Sequence, residues 1–139
     1  MTDAFQAAGL VWRGIAVWDK TEAARPVFGR FRAQCEFLVW GSAGEMSIND
    51  GRPAYPGACR HAVDSDKAHI TQKPVDVVEW SLSPCPGGCI VVDPFLGSGT
   101  TIVACERTGR LGRGAEISPA YVAVALERLA QIGLEPRRL

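Results

Sequence analysis

Hydrophobic residues fall in short blocks along this chain, separated by stretches bearing glycine and proline, and the period of the blocks changes from end to end. Residues 2–9 (Thr-Asp-Ala-Phe-Gln-Ala-Ala-Gly) predict a short helix stopped at Gly9, the usual glycine terminator. Gly14-Ile15-Ala16-Val17-Trp18 is apolar throughout and rich in β-branched residues, which predicts a buried strand. Residues 19–33 are charged and broken by Pro26 and Gly29, so they read as a loop. Cys35 to Trp40 is a second strand candidate. From Gly41 to Lys67 the chain is polar, with no clear periodicity. Excursions of that length in a compact domain tend to be functional or disordered.

Order returns at His69. Pro74 to Ser83 sets Val77, Val78 and Trp80 to Leu82 on a helical stripe, with Pro74 suited to the first turn. Pro84-Cys85-Pro86-Gly87-Gly88 turns the chain, and Cys89-Ile90-Val91-Val92-Asp93 predicts a short apolar strand ending in an acid. Gly97-Ser98-Gly99-Thr100-Thr101 opens a helix through about Thr108. A further strand is expected from Leu111 to Ile117. Pro119 then starts an amphipathic helix carrying Tyr121, Val122, Val124, Ala125 and Leu129. This rhythm of helix, strand, glycine loop, helix, strand and helix is that of an α/β domain with a mostly parallel sheet and flanking helices.

The chemistry concentrates in Val92-Asp93-Pro94-Phe95-Leu96-Gly97-Ser98-Gly99-Thr100-Thr101. A strand there delivers the chain to the carboxyl edge of the sheet, where open α/β sheets bind ligands. Gly97 and Gly99 let a ligand approach the backbone, and the following helix offers its first amides to an anion. A second acid, Glu116, is expected to end the next strand, near the ~20-residue spacing at which an acid reaches ribose hydroxyls in nucleotide-binding units. A dinucleotide fingerprint wants a third glycine where Ile102 stands. That departure matters less for S-adenosylmethionine, which has no pyrophosphate. Asp93 is then suited to its ammonium, the loop amides to its carboxylate and Glu116 to its ribose. The glycine pattern alone fits a plain strand-to-helix turn beside a solvated Glu116 equally well; the paired acids favour the ligand.

Composition narrows the field. The 139 residues are 47% apolar and 22% charged, as in a globular domain, and the formal net charge is +0. No global basic field advertises nucleic acid, so any DNA contact must come from local arginines. There is no apolar run long enough for a membrane span and no signal peptide, so the default expectation is a cytoplasmic protein with no membrane partner. Five cysteines, an odd number, argue for reduced thiols. A zinc site from Cys59, His61, His69, Cys85 and Cys89 is conceivable. Cys85 and Cys89 nevertheless lack a partner pair at finger-like spacing, and no metal is expected.

The run from Asp93 to Thr101 resembles the cofactor motif of DNA methyltransferases that modify exocyclic amines, adenine N6 or cytosine N4. His69-Ile70-Thr71-Gln72-Lys73-Pro74 is similar to the family's segment over the methionine end of the cofactor. Gly114-Ala115-Glu116-Ile117-Ser118-Pro119-Ala120-Tyr121 is similar to its ribose-binding acid and next helix. Trp18-Asp19-Lys20 and residues 29–40 resemble the paired strands that follow the catalytic motif in the permuted, β-type order. The resemblance implies a Rossmann-like methyltransferase fold, S-adenosyl-L-methionine as cofactor and DNA as partner, as in restriction-modification systems. A homodimer is an admissible assembly. It implies cofactor contacts at Lys73, Asp93, Pro94, Phe95, Gly97, Ser98, Gly99, Thr100 and Glu116, and phosphate contacts at Arg25, Arg30 and Arg32 beside Phe28 and Phe31.

The family's catalytic motif, an acid, Asn or Ser followed by two prolines and an aromatic, has no match here. Arg52-Pro53-Ala54-Tyr55 starts with arginine in place of Asp, Asn or Ser and has no second proline. In Ser118-Pro119-Ala120-Tyr121, Ser118 reads as an N-cap and Pro119 as the first helical residue. The expectation is a single methyltransferase domain fragment, incomplete at the N-terminus and lacking catalytic residues. Residues 1–40 are expected to be strands following the missing motif, 41–68 a variable loop and 69–139 the cofactor-binding half. The competing readings are a decayed remnant or partner subunit that binds without chemistry, and, more weakly, a nicotinamide-dependent oxidoreductase. His69 reads as structural, and the four tryptophans mostly as core.

Overall fold

The computed structural model describes residues 2–22, 24, 26–47, 51–63 and 72–137. The chain divides into two compact units, Met1–Ala62 and Val63–Leu139.

In the first unit, helix α1 (Thr2–Ala7) leads through Gly9, which adopts a positive φ, into strand β1 (Val11–Asp19). Strand β2 (Cys35–Ser42) pairs antiparallel with β1, setting Trp18 opposite Glu36 and Asp19 opposite Cys35. The two segments expected as paired strands are therefore neighbours. A bulge lies between Trp12 and Gly14. The polar excursion is not structureless: Ala58–Arg60 forms strand β3, parallel to β1 on its other edge. Its three residues are too few to carry a periodic signal, and pairing with β1 fixes them. β1 is also less buried than its apolar run predicts. Trp18 is buried, with its indole Nε1 donating to the His61 carbonyl at 2.8 Å, but Ile15 is 55% exposed. A strand alternates its faces, and only one of these is shielded.

In the second unit, helix α2 (Val75–Leu82) begins after Pro74, whose extended backbone makes it the N-cap rather than the first helical residue. Strand β4 (Ile90–Asp93), helix α3 (Thr100–Arg107) and parallel strand β5 (Leu111–Gly114) form a βαβ unit, and helix α4 (Pro119–Gln131) closes the chain. Leu82, Ala104 and Cys105 form a buried cluster against which Val75, Val78, Cys85 and Val91 pack. This cluster seats α2 and α3 on one face of the strands. β5 stops at Gly114, three residues before the expected end, so Glu116 lies in the bend beyond it. Only four residues of ladder are available, because β4 itself ends at Asp93, opposite Gly114. Among the described residues two of the three strand pairings are parallel, and the longest is the antiparallel β1–β2 pair. Among the described residues no helix is long and apolar enough to cross a membrane.

Candidate functional site

The loop between β4 and α3 is tied down at both ends by acids. Asp93 closes β4 and turns its carboxylate back over the loop. Its Oδ1 accepts from the Phe95 amide at 2.9 Å and its Oδ2 from the Thr101 hydroxyl at 2.6 Å. Glu116 reaches across from the β5 side: Oε2 accepts from the Gly97 amide and Oε1 from the Ser118 amide, each at 2.8 Å. The Ser118 and Gly97 amides hold the Glu116 carboxyl below the usual carboxylate range. The Leu96 amide bonds the Ala115 carbonyl at 2.9 Å, so the loop runs along the strand end as a continuation of the sheet.

Glycine is required at the bend. Gly97 and Gly99 have φ of +54° and +82°, in the left-handed region that side chains disfavour. Gly99 also lies against α4, where an added Cβ would sit 3.3 Å from that of Ala125. As the N-cap of α3, Gly99 provides no side-chain cap, and while the Ile102 amide bonds the Gly99 carbonyl, the Thr100 and Thr101 amides keep their capacity for an outside acceptor.

A carboxylate has about four lone-pair sites. Asp93 spends two on the Phe95 amide and the Thr101 hydroxyl, and Glu116 spends two on the Gly97 and Ser118 amides, with the Ile117 amide adding to them. Each keeps acceptor capacity for a ligand's hydroxyl or ammonium donors. Set beside helix-start amides that favour an anion, the arrangement suits a ligand with donors at two places and one negative group.

The expected site residues do not all share one place. Asp93, Gly97, Gly99 and Glu116 converge on the bend. Pro94 is exposed, and Phe95 is 87% exposed, with its ring free of the core. Ser98 and Thr100, at 8% and 7% exposed, sit on the inner side of the loop. There the Ser98 carbonyl and the Thr100 hydroxyl accept from Arg128 at 3.3 and 3.0 Å. Lys73 is exposed in the stretch before Pro74, next to Gln72. Among the described residues no group of three His, Cys, Asp or Glu side chains is arranged to hold a metal, and His69 lies outside those residues.

In the first unit, Arg30 and Arg32 are exposed and Arg25 lies outside the described residues. Phe28 and Phe31, at 92% and 101% exposed, flank Arg30. The Arg32 guanidinium donates to the carbonyls of Glu22 and Ala24, tying down its own loop. Sequence reasoning missed Thr101 as the partner of Asp93, Gln72 as a partner of Arg128, and Arg128 altogether. The polar Glu127-Arg128 pair reads from sequence as the solvated side of α4.

A family model described as DNA methylase, of the N6/N4 methyltransferase kind, matches residues 39–127, well over half the chain. The chain belongs to the DNA methylase family. Among curated members it is 44% identical to the type II methyltransferase M.HpaI of Haemophilus parainfluenzae, over 60% of this chain and 29% of that protein. It is 31% identical to M.XycI of Xanthomonas campestris pv. cyanopsidis, over 91% of this chain and 47% of that one. The chain spans from 20% to 56% of the length of the curated relatives it matches. The crystal structure of the M1.HpyAVI–SAM complex superposes with a TM-score of 0.75 at 26% identity, covering 92% of this chain and 66% of that chain. PvuII DNA methyltransferase (cytosine-N4-specific) shares the fold, with a TM-score of 0.71 at 19% identity, over 97% of this chain and 55% of its own. The fold is the Rossmann-like one of this methylase family.

Proposed function

We propose that this chain supplies the S-adenosylmethionine-binding half of a DNA methyltransferase acting on an exocyclic amine, adenine N6 or cytosine N4. The observation that carries this reading is the bend between Asp93 and Glu116, where both carboxylates keep acceptor capacity after bonding their own loop. Glu116 offers its remaining acceptor capacity to the ribose hydroxyls, and Asp93 faces the methionine ammonium. The first-turn amides of α3 receive the carboxylate, with Lys73 adding positive charge. Ile117, 98% exposed beside Glu116, offers an apolar surface to the adenine. When bound, the cofactor supplies an electrophilic methyl group on sulfonium sulfur. This chain's share of the work is to bind and orient it.

The same reading gives Arg25, Arg30 and Arg32 to the DNA backbone, where each contact strengthens the salt dependence of binding. Activation of the base falls to a polar-Pro-Pro-aromatic motif, and no two prolines adjoin anywhere in these 139 residues. That observation favours one variant reading, in which this chain binds cofactor or DNA and performs no transfer by itself.

Calorimetry of the full chain with S-adenosylmethionine tests the proposal. We expect saturable binding, weakened about tenfold or more by Glu116→Gln, since an acceptor of charge-assisted bonds is replaced by a donor. No binding by the wild-type chain overturns it. Incubation with DNA and labelled cofactor separates the variants, because robust label transfer by this chain alone defeats the non-catalytic one.

A further inference from the structure

We propose that Arg128 is a positioning residue for the cofactor loop: from the buried side of the bend it holds the Ser98 carbonyl and the Thr100 hydroxyl, and so sets the direction of the first amides of α3. This rests on the reading that the bend binds S-adenosylmethionine. The front of the loop is fixed by Asp93 and Glu116 as described, but neither acid touches Ser98 or Thr100. These two residues straddle Gly99, which has no side chain to brace the turn and provides no cap.

Arg128 fills that gap. Projecting from α4 three residues after Ala125, which itself lies against Gly99, it places Nη1 3.3 Å from the Ser98 carbonyl and 3.0 Å from Thr100 Oγ1. On its other side the Gln72 side-chain oxygen accepts from Nη2 at 3.2 Å and from Nη1 at 3.3 Å, in the amide orientation that satisfies both ends of the group. One guanidinium thus links the segment before α2, the glycine bend and α4.

The chemistry of this contact is unusual for a half-buried cation. All of these partners are neutral oxygens, and among the described residues no carboxylate lies within ion-pair distance of Arg128. Its charge is therefore not cancelled locally, and it sits behind the amides assigned to an anionic group. Burial, with Arg107 adding to it, draws the guanidinium pKa down, but arginine stays protonated in proteins. A planar fork with fixed donor directions can serve all three oxygens together, which a single ammonium on a flexible stem cannot.

The test compares two probes on the full chain: S-adenosylmethionine, and 5′-methylthioadenosine, which keeps the nucleoside but lacks the amino-acid end. Arg128→Met is expected to weaken S-adenosylmethionine about tenfold while leaving methylthioadenosine within about twofold, because only the carboxylate end meets the amides it aims. Arg128→Lys is expected to weaken S-adenosylmethionine almost as much, with the melting temperature retained. Thr100→Val, which removes one acceptor at constant shape, should give a smaller loss that is not additive with Arg128→Met. If Arg128→Met fails to fold, Arg128→Lys and Thr100→Val carry the test. Equal weakening of both probes, or wild-type affinity in Arg128→Lys, overturns the proposal while leaving the cofactor reading intact. Failure of the wild-type chain to bind S-adenosylmethionine removes that reading instead.

Discussion

Replacing Gly99 by alanine should destabilise the second unit more than the same change at Gly97, and the structure says by what route. Both glycines have positive φ, and an L-residue held in the left-handed region costs roughly 1–2 kcal/mol. Against this, alanine restricts the unfolded chain and returns about 0.4–1 kcal/mol. At Gly97 nothing lies within 4 Å of the added methyl, so the two effects nearly cancel and a net loss of about 1 kcal/mol or less is expected. At Gly99 the φ of +82° lies farther from the left-handed minimum, and the methyl would meet the Ala125 Cβ at 3.3 Å. That separation is inside the ~3.5–4.0 Å optimum for carbon pairs, so repulsion adds to backbone strain and the loss rises to about 2 kcal/mol. The Ala125→Gly variant removes the obstructing carbon at a helix-propensity cost of about 1 kcal/mol. In the double variant the repulsion has gone, so the two changes should couple favourably by about 0.5 kcal/mol or more. Denaturant unfolding followed by circular dichroism measures all four proteins. Equal losses at the two glycines, or strict additivity with Ala125→Gly, would refute the close approach of loop and helix.

The depressed pKa of Glu116 makes a signed statement about pH. Its folded value lies below the ordinary 4.5, so the folded state binds fewer protons than the unfolded one in between, and stability rises with pH there. The contribution is complete above 4.5 and disappears as pH falls through the lower folded value. The melting temperatures of wild type and Glu116→Gln, apart at neutral pH, should therefore converge in acid. A gap that persists unchanged at low pH counts against the two amide bonds. Asp19, whose carboxyl Gln34 and Thr21 hold low, acts in the same direction in the first unit and cancels in the difference. Among the cysteines, burial pushes the thiols of Cys85 and Cys105 up, whereas Cys35 is exposed. Timed alkylation read by mass spectrometry should label Cys35 first and Cys105 last, since the thiolate is the reacting form; Cys105 labelling early in the folded chain would contradict its burial.

Which parts of this site were legible in the sequence depends on whether a residue acts locally or across the fold. Asp93, Gly97 and Gly99 act within one strand-to-helix turn, so their order in the chain carries the information, and they lie where the motif puts them. Glu116 reads as a strand end because the expected strand runs from Leu111 to Ile117. The ladder stops at Gly114 because its partner strand stops, which is a property of pairing and invisible in one segment. β3 escaped for the same reason, as three residues become a strand only beside β1. Arg128 lay beyond reach in a stronger sense. It is separated from Ser98 by 30 residues, and an arginine on an amphipathic helix reads as solvated until the turn it holds is placed against it.

The two acids also explain why this bend can be shaped before any ligand arrives. A carboxylate facing empty solvent would wander among rotamers and have to be ordered at the moment of binding, at about 0.5–1.5 kcal/mol for each such side chain. Asp93 and Glu116 are instead held by Phe95, Thr101, Gly97 and Ser118, all parts of the same loop or of the turn after it. The loop orders the acids and the acids order the loop, so neither ordering cost falls on the ligand. The arrangement also makes Glu116 hard to replace conservatively. At Glu116 both partners are N–H groups, so an amide sets a donor against a donor and disrupts the turn as well as the ligand contact, whereas at Asp93 the Thr101 hydroxyl can rotate to accept from an amide and the turn is kept. Affinity for S-adenosylmethionine and order in residues 93–101 should therefore fall together in Glu116→Gln, whereas Asp93→Asn should lose affinity and keep the turn. A Glu116→Gln variant that loses one and keeps the other would separate the two roles that this geometry joins.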